Sequence, residues 1–351
     1  IPEGTWRLKV DALNDSMVVV YRGETDVNII AGMVTQINLV LQPTGMGLGS
    51  IRIFVTWGIQ QSNLNWVDNP TNPVLTSGNN YFDFHGVAQP VLLYEQGKYK
   101  MWYYGDQGNA KKHVLYAESI DGTNWIKHPT PVLSPGSFEW DSWAVHPGHI
   151  IKDGDVYKMY FVGFSNQNAP WYIGLATSVD GINWVKRSTP ILYPGTGWEY
   201  QVATCFVIKK DSKYLLYYIG RNYPNYNIGL AVSNDGINFE KYSGNPILTA
   251  NQNWEVYGVM YPTIYLENGI YKMVYHDAGN NGFGYAYSID GFHWTKDSRN
   301  PFFRKNNTAN NWGSNGIAYP SYIKVNNEER IYYSAYSISS NKFKIGFMKR
   351  N

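Results

Sequence analysis

The residues best suited to chemistry in this chain are acids that follow tryptophan. Trp140-Asp141, Trp198-Glu199 and Trp254-Glu255 stand at corresponding points of the sequence, and Asp83 occupies a similar place upstream. A carboxylate can hand on a proton, attack an electrophile, or simply accept hydrogen bonds from main-chain donors. A position repeated this often speaks for the last use, whereas function usually breaks symmetry. His85, His146, His149 and His276 fall on or beside the same segments. They have no metal-ligand spacing and read as core or ligand-contacting residues. Asp121, Asp180, Asp235 and Asp290 each precede a glycine and read as turn formers, not as site candidates.

The elements that must hold these groups repeat. Ser119, Asp121, Gly122 and Trp125 recur as Ser178, Asp180, Gly181 and Trp184, as Ser233, Asp235, Gly236 and Phe239, and as Ser288, Asp290, Gly291 and Trp294. Asp-Gly between alternating runs marks a hairpin, because glycine accepts the positive φ of a tight turn. A strand such as Ile173-Gly-Leu-Ala precedes each turn, a Tyr-rich strand such as Tyr157-Lys-Met-Tyr precedes that, and a Pro-apolar-apolar stop such as Pro190-Ile-Leu follows. Each unit therefore holds about four strands, as a propeller blade does. Trp66 and Pro73-Val-Leu match only the end of a unit, while the last unit stops at Asn351, short of its own turn. The strand near Trp66 is the one the last unit lacks. The spacing predicts a five-bladed β-propeller over 59–351, closed by that strand. Residues 1–58 carry period-two runs without blade motifs and predict a small β-sandwich-like domain, linked through 58–64.

Bulk properties narrow the function. The chain has 351 residues, 44% of them hydrophobic and 16% aromatic, with 30 Tyr and 13 Trp. Tyr and Trp pair a flat apolar face with a polar tip, which suits both inter-sheet packing and wet binding clefts. A net charge of +2 without a basic stripe argues against nucleic acid. One cysteine, Cys205, excludes an internal disulfide framework. No run is long enough for a transmembrane helix. Ile1-Pro2-Glu3-Gly4 reads like mid-domain sequence, so a leader removed upstream, and a secreted or cell-surface protein of bacterial type, are expected.

The pattern Trp-acid, Tyr-Lys-Met-x-Tyr, Ile-Gly-x-Ala-x-Ser-x-Asp-Gly-x-x-Trp resembles the five-bladed superfamily of arabinanases, xylosidases, invertases and levansucrases, over roughly 65–351. The resemblance implies a glycoside hydrolase acting on a poly- or oligosaccharide. Three innermost-strand carboxylates would share the acid, base and tuning roles of glycosidic cleavage. On this chain those positions fall to Asp83, Asp141 and Glu199. Trp140-Asp141-Ser142-Trp143 is similar to the motif of the levansucrase nucleophile, which makes Asp141 nucleophile or base and Glu199 the acid. His85, Gln89, Trp140, Trp143, His146, Tyr200, Arg221, Glu255, Tyr257, His276 and Asp277 become the substrate contacts. The four aromatics among them suit stacking on sugar rings or packing between blades. No cofactor is required, and a Ca2+ ion on the propeller axis is the one ion the histidines suggest. Gln89-Pro90, Tyr261-Pro262 and Tyr319-Pro320 stand where arabinanase-type enzymes carry Asp-Pro. Glutamine can serve neither as base nor as nucleophile, so the alternative is a carbohydrate-binding propeller that does not cleave. A scaffold or adhesion protein, docking through its N-terminal domain, is a third reading.

Overall fold

The computed structural model describes residues 4–14, 18–29, 35–44, 51–57, 63–78, 81–108, 111–166, 168–210 and 212–350. The protein is all-β, and its contacts divide it into two units, Ile1–Leu64 and Asn65–Asn351. Most of the expected linker, 58–62, lies outside the described residues, as do residues 1–3. No helix among the described residues is long and apolar enough to cross a membrane.

The first unit is an antiparallel meander of Gly4–Leu13, Val19–Ile29, Thr35–Pro43 and Ile51–Trp57. The sandwich expected from its alternation is, among the described residues, one continuous ladder. Its middle joint is only two residue pairs long, Tyr21 with Pro43 and Arg22 with Gln42. Val27, Leu39 and Leu41 are buried between its hairpins, with Leu8 and Val10 packed against them.

The second unit contains five sheets, each an antiparallel meander. The first is Gly86–Glu95, Lys98–Asp106, Lys112–Ser119 and Ile126–Lys127. The second is Ala144–Asp153, Val156–Phe164, Tyr172–Ser178 and Val185–Lys186. The third is Gln201–Lys210, Lys213–Asn222, Asn225–Ser233 and Glu240–Lys241. The fourth is Val259–Glu267, Ile270–Asp277, Gly282–Ser288 and Thr295–Lys296, with Phe303–Arg304 added beside Gly282–Ser288. The fifth takes Gly316–Val325, Glu328–Tyr336 and Lys344–Arg350 from the C-terminal end and Val67–Asp68 from far upstream. First strands of successive sheets lie against one another, and the fifth lies against the first, so the sheets close a ring. Apolar faces meet between neighbouring sheets. Trp102, Val91 and Tyr116 of the first pack with Met159, Phe161 and Ile150 of the second, all buried.

Turn chemistry explains the repeat. In each Asp-Gly turn the aspartate accepts main-chain N–H groups two and three residues on, as Asp180 does from Ile182 and Asn183, both at 2.8 Å. The glycine carbonyl then accepts from an aromatic on the second strand of the preceding sheet. Tyr332 Oη reaches Gly122, Trp102 Nε1 reaches Gly181, Tyr160 Oη reaches Gly236 and Tyr217 Oη reaches Gly291. The fourth sheet has Val274 at the equivalent position. Valine has nothing to donate, and the fifth sheet, closed by Val67–Asp68, has no such turn to receive it.

These turns couple stability to acid. Asp121, Asp180 and Asp235 are held well below the usual carboxylate range, first by the N–H of Asn124, Asn183 and Asn238 respectively. Burial works against the charge of Asp290, but the donors of His293 and Phe292 outweigh it and bring its pKa down to about 2. Because the folded values lie below the unfolded one, the contribution is complete above about pH 4 and is lost as pH falls towards 2. Melting temperatures followed by circular dichroism are expected to hold from pH 5 to 4 and drop below. A flat profile down to pH 2.5 would refute the role of the turns.

Candidate functional site

Every first strand carries a register break at the same level: Ala88/Val91, Pro147/His149, Ala203/Cys205, Met260/Thr263 and Ala318/Ser321. A bulge re-aims the residue it inserts. Gln89, Tyr261 and Tyr319 sit at these breaks with φ of 56°, 51° and 58°, each followed by a proline that has no N–H to lose. The bulges crowd the axis. Gln89 Nε2 donates to Thr204 Oγ1 at 2.7 Å and to the Pro147 carbonyl, so one side chain ties three sheets. The space left among Gln89, Gly148, Thr204, Tyr261 and Tyr319 is about 30 Å³, which is room for one water.

Tyr261 and Tyr319 also form one wall of a larger cavity of about 440 Å³. Its remaining lining comes from one end of the sheets: Lys112 of the first, Trp143, His146, Phe164, Asn168 and Trp171 of the second, Ala203, Arg221 and Tyr226 of the third, and Met260 of the fourth. First strands begin, second strands end and third strands begin at this end, so antiparallel order alone gathers these positions. Among the described residues, no aspartate or glutamate lines the cavity.

Its electrostatics are those of buried donors. Burial lowers the Lys112 pKa against the pull of Asp106, whose Oδ2 lies 3.9 Å away. His146 is only 8% exposed, stacks on Tyr104 at 4.9 Å, and has no partner on Nε2. Burial, then the charge of Lys112, drives its pKa well below the ordinary value, so it is neutral. Arg221 donates from Nη1 to Gln201 Oε1 at 2.9 Å, and its guanidinium lies 5.2, 5.6 and 5.5 Å from the rings of Trp171, Tyr223 and Tyr226. Tyr104, Tyr261 and Tyr319 share hydroxyl hydrogen bonds, and burial raises the pKa of all three. Behind them His276, brought down to about 3 by burial, meets the rings of Tyr261 and Tyr319.

The three acids expected to catalyse do not reach this cavity. Each accepts from a lysine on the short fourth strand of its own sheet: Asp83 from Lys127 at 2.5 Å, Asp141 from Lys186 at 2.5 Å, and Glu199 from Lys241 at 2.9 Å. Glu255, expected as a substrate contact, is held in the same way by Lys296 at 2.6 Å. The paired tryptophans cover a second-strand ring, Trp140 on Phe161, Trp198 on Tyr218 and Trp254 on Tyr275. Gly174 and Gly229 are there because a Cβ would strike Trp140 and Trp198, at 2.3 and 2.6 Å. The Trp-acid motif is thus a clasp that fastens the outer strand of a sheet to the segment entering it. Each acid stands at the equivalent place of its own sheet, paired with the lysine of that sheet's fourth strand. The structure thus sets Asp83, Asp141 and Glu199 against lysines of their own sheets and outside the lining of the 440 Å³ cavity.

Of the other expected contacts, Trp143, His146 and Arg221 line the cavity together, and Gln89 lines the small axial space at the bulges. Trp140 and Glu255 belong to the clasps. His276 stands behind the tyrosines. Asp277 accepts the N–H groups of Gly279, Asn281 and Gly282 and so builds a loop. Tyr200 is exposed, Tyr257 borders a separate hollow with Trp198, and exposed His85 packs edge-on to Phe84. Lys112, Phe164, Trp171 and Tyr226 were not anticipated. The signal available for them was their place at the ends of the second and third strands, opposite the Asp-Gly turns. Among the described residues, no group of three or more His, Cys, Asp or Glu is placed to hold a metal ion.

No family model matches the chain. An uncharacterised protein of Mycobacterium tuberculosis is 29% identical over 198 residues, which is 50% of this chain and 65% of that protein. The chain thus matches somewhat less than two thirds of that relative's length. A 1,2-beta-oligomannan phosphorylase of Thermoanaerobacter is 28% identical over 221 residues, 60% of this chain and 70% of the relative. Among solved structures, a thermostable family-43 glycoside hydrolase superposes with a TM-score of 0.64 at 18% identity, covering 80% of this chain and 92% of its own. A structure from the GH130 family of mannoside phosphorylases and hydrolases gives 0.65 at 18%, covering 82% and 94%. At such identities the likeness is one of fold, and that fold is the one shared by the propeller glycosidases.

Proposed function

We propose that this protein is a carbohydrate-active, five-bladed β-propeller of the glycoside hydrolase type, which receives a glycan in the axial cavity. The five sheets of residues 65–351 are its blades, Val67–Asp68 closes the last of them, and the N-terminal unit is an accessory module of an exported protein. The observation that carries the reading is the wall formed by Trp143, Phe164, Trp171 and Tyr226 around one 440 Å³ cavity. Flat apolar faces with polar tips match the CH faces and hydroxyls of a sugar, and the volume falls in the range of small-molecule sites.

A second reading, glycan binding without cleavage, is favoured by the missing carboxylates. Glycosidic cleavage ordinarily places two of them about 5–10 Å apart around the bond, and none among the described residues lines this cavity. Both readings share the glycan in the cavity and divide on turnover. Titration against a panel of oligosaccharides, with released sugar measured in parallel, tests them. Trp143→Ala and Trp171→Ala are each expected to weaken binding at least tenfold, or about 1.4 kcal/mol. Unchanged affinity in both variants would remove the cavity as the site.

A further inference from the structure

We propose that the axial cavity recognises an oxyanion, a carboxylate, phosphate or sulfate group, presented with its glycan. The inference rests on the glycan reading above and adds the class of sugar.

Neutral sugars carry hydroxyls that both donate and accept, and a site built for them offers acceptors as well as donors. This cavity offers cations. Arg221 and Lys112 both line it, and no carboxylate among the described residues does. A half-buried guanidinium normally finds an acid. Arg350 is paired with Glu329, and Arg330 with Glu328. Arg221 has no carboxylate within 4 Å among the described residues. Gln201 and the faces of three aromatic rings hold it in place. Stacking of this kind fixes the plane of a guanidinium while leaving its charge unanswered. A fixed guanidinium plane is the geometry that takes two oxygens of one oxyanion at once.

The other groups agree. Lys112, the second cation of the lining, is only loosely compensated, with Asp106 at 3.9 Å. Among the described residues, His146 Nε2, Trp171 Nε1 and Arg221 Nε are buried without a hydrogen-bond partner. The unpaired N–H groups of Trp171 and Arg221 mark a wall short of acceptors. With a formal net charge of only +2 over the whole chain, this concentration of charge is local.

The test is calorimetric titration of the intact chain with four probes: a uronic acid oligosaccharide, its neutral counterpart, a hexose 6-phosphate and inorganic phosphate. The acidic oligosaccharide is expected to bind at least tenfold more tightly than the neutral one, with the advantage shrinking as salt rises from 50 to 500 mM. Arg221→Met, which keeps an apolar stem against the rings, is expected to bring the acidic sugar down to the affinity of the neutral one. Lys112→Met provides a second, independent reduction should Arg221→Met fold poorly. Inorganic phosphate that binds alone and competes with the acidic sugar supports the site with a free anion as its source. The hexose phosphate or uronate binding where phosphate does not supports it with the anion borne by the sugar. Equal affinity for acidic and neutral sugars, or a preference that survives both variants, overturns the proposal while leaving the glycan reading intact. No binding by any sugar, with Trp171→Ala silent, overturns both.

Discussion

Lys296→Met is expected to cost about 3–5 kcal/mol of stability, because it strands the Glu255 carboxylate in the protein interior. Lys296 is 6% and Glu255 0% exposed at the side chain, the most buried of the four clasps. Lys296 Nζ touches both carboxylate oxygens at 2.6 Å and also donates to the Thr249 carbonyl. Burial already lowers the Lys296 pKa, though Glu255 pulls it back up. Glu255→Gln in the same chain is expected to restore a large part of the loss, since the amide oxygen still accepts from Tyr275 while the unpaired charge is gone. Lys127→Met, at a lysine 30% exposed, should cost less. Urea unfolding of the three variants measures this order. A loss below 1 kcal/mol for Lys296→Met would show that the acids are not clasped, and would return them to consideration as chemical groups.

Asp68→Ala is expected to be at least as damaging, by about 3 kcal/mol or more, because four donors lose their acceptor together. Asp68 accepts from Asn72 Nδ2 and Tyr333 Oη at 2.6 Å, from the Ala309 N–H at 2.7 Å and from Trp312 Nε1 at 3.0 Å. A buried donor left alone forfeits about 1–3 kcal/mol. Burial raises the Asp68 pKa, and the four hydrogen bonds oppose it. Asp68 is also half of the two-residue strand that completes the fifth sheet, paired with Met348. The loss should therefore appear as opening of that sheet, seen as faster amide exchange in Lys344–Arg350 than in Tyr172–Ser178. Asp68→Asn keeps the shape and one acceptor, and should fall between wild type and alanine. Equal exchange in the two strands after Asp68→Ala would sink the closing role.

These two sites show how the clasp was half visible in the sequence. Aromatic-x-Lys recurs as Trp125-Ile-Lys127, Trp184-Val-Lys186, Phe239-Glu-Lys241 and Trp294-Thr-Lys296, in step with the acids. At the fifth repeat both halves change: the lysine position becomes Asp68, and the acid position after Trp312 becomes Gly313. Trp312 then donates to Asp68 directly. A lysine and an acid that vary together point to each other rather than to a shared substrate.

The sequence by itself determined what short-range chemistry dictates. Asp-Gly turns, period-two strands and the unmatched pieces at Trp66 and at the C-terminal end follow from local φ preferences, local hydrogen bonds and repetition, which need no knowledge of distant residues. The tertiary structure alone decided which side chains face the axis. A bulge turns Gln89, Tyr261 and Tyr319 inward, and sheet order places Lys112, Trp171 and Arg221 around one cavity though they lie far apart along the chain. A one-residue change of register reverses the face on which a side chain falls. Pairing between strands dozens of residues apart is therefore what separates an acid held by a lysine of its own sheet from a cavity wall.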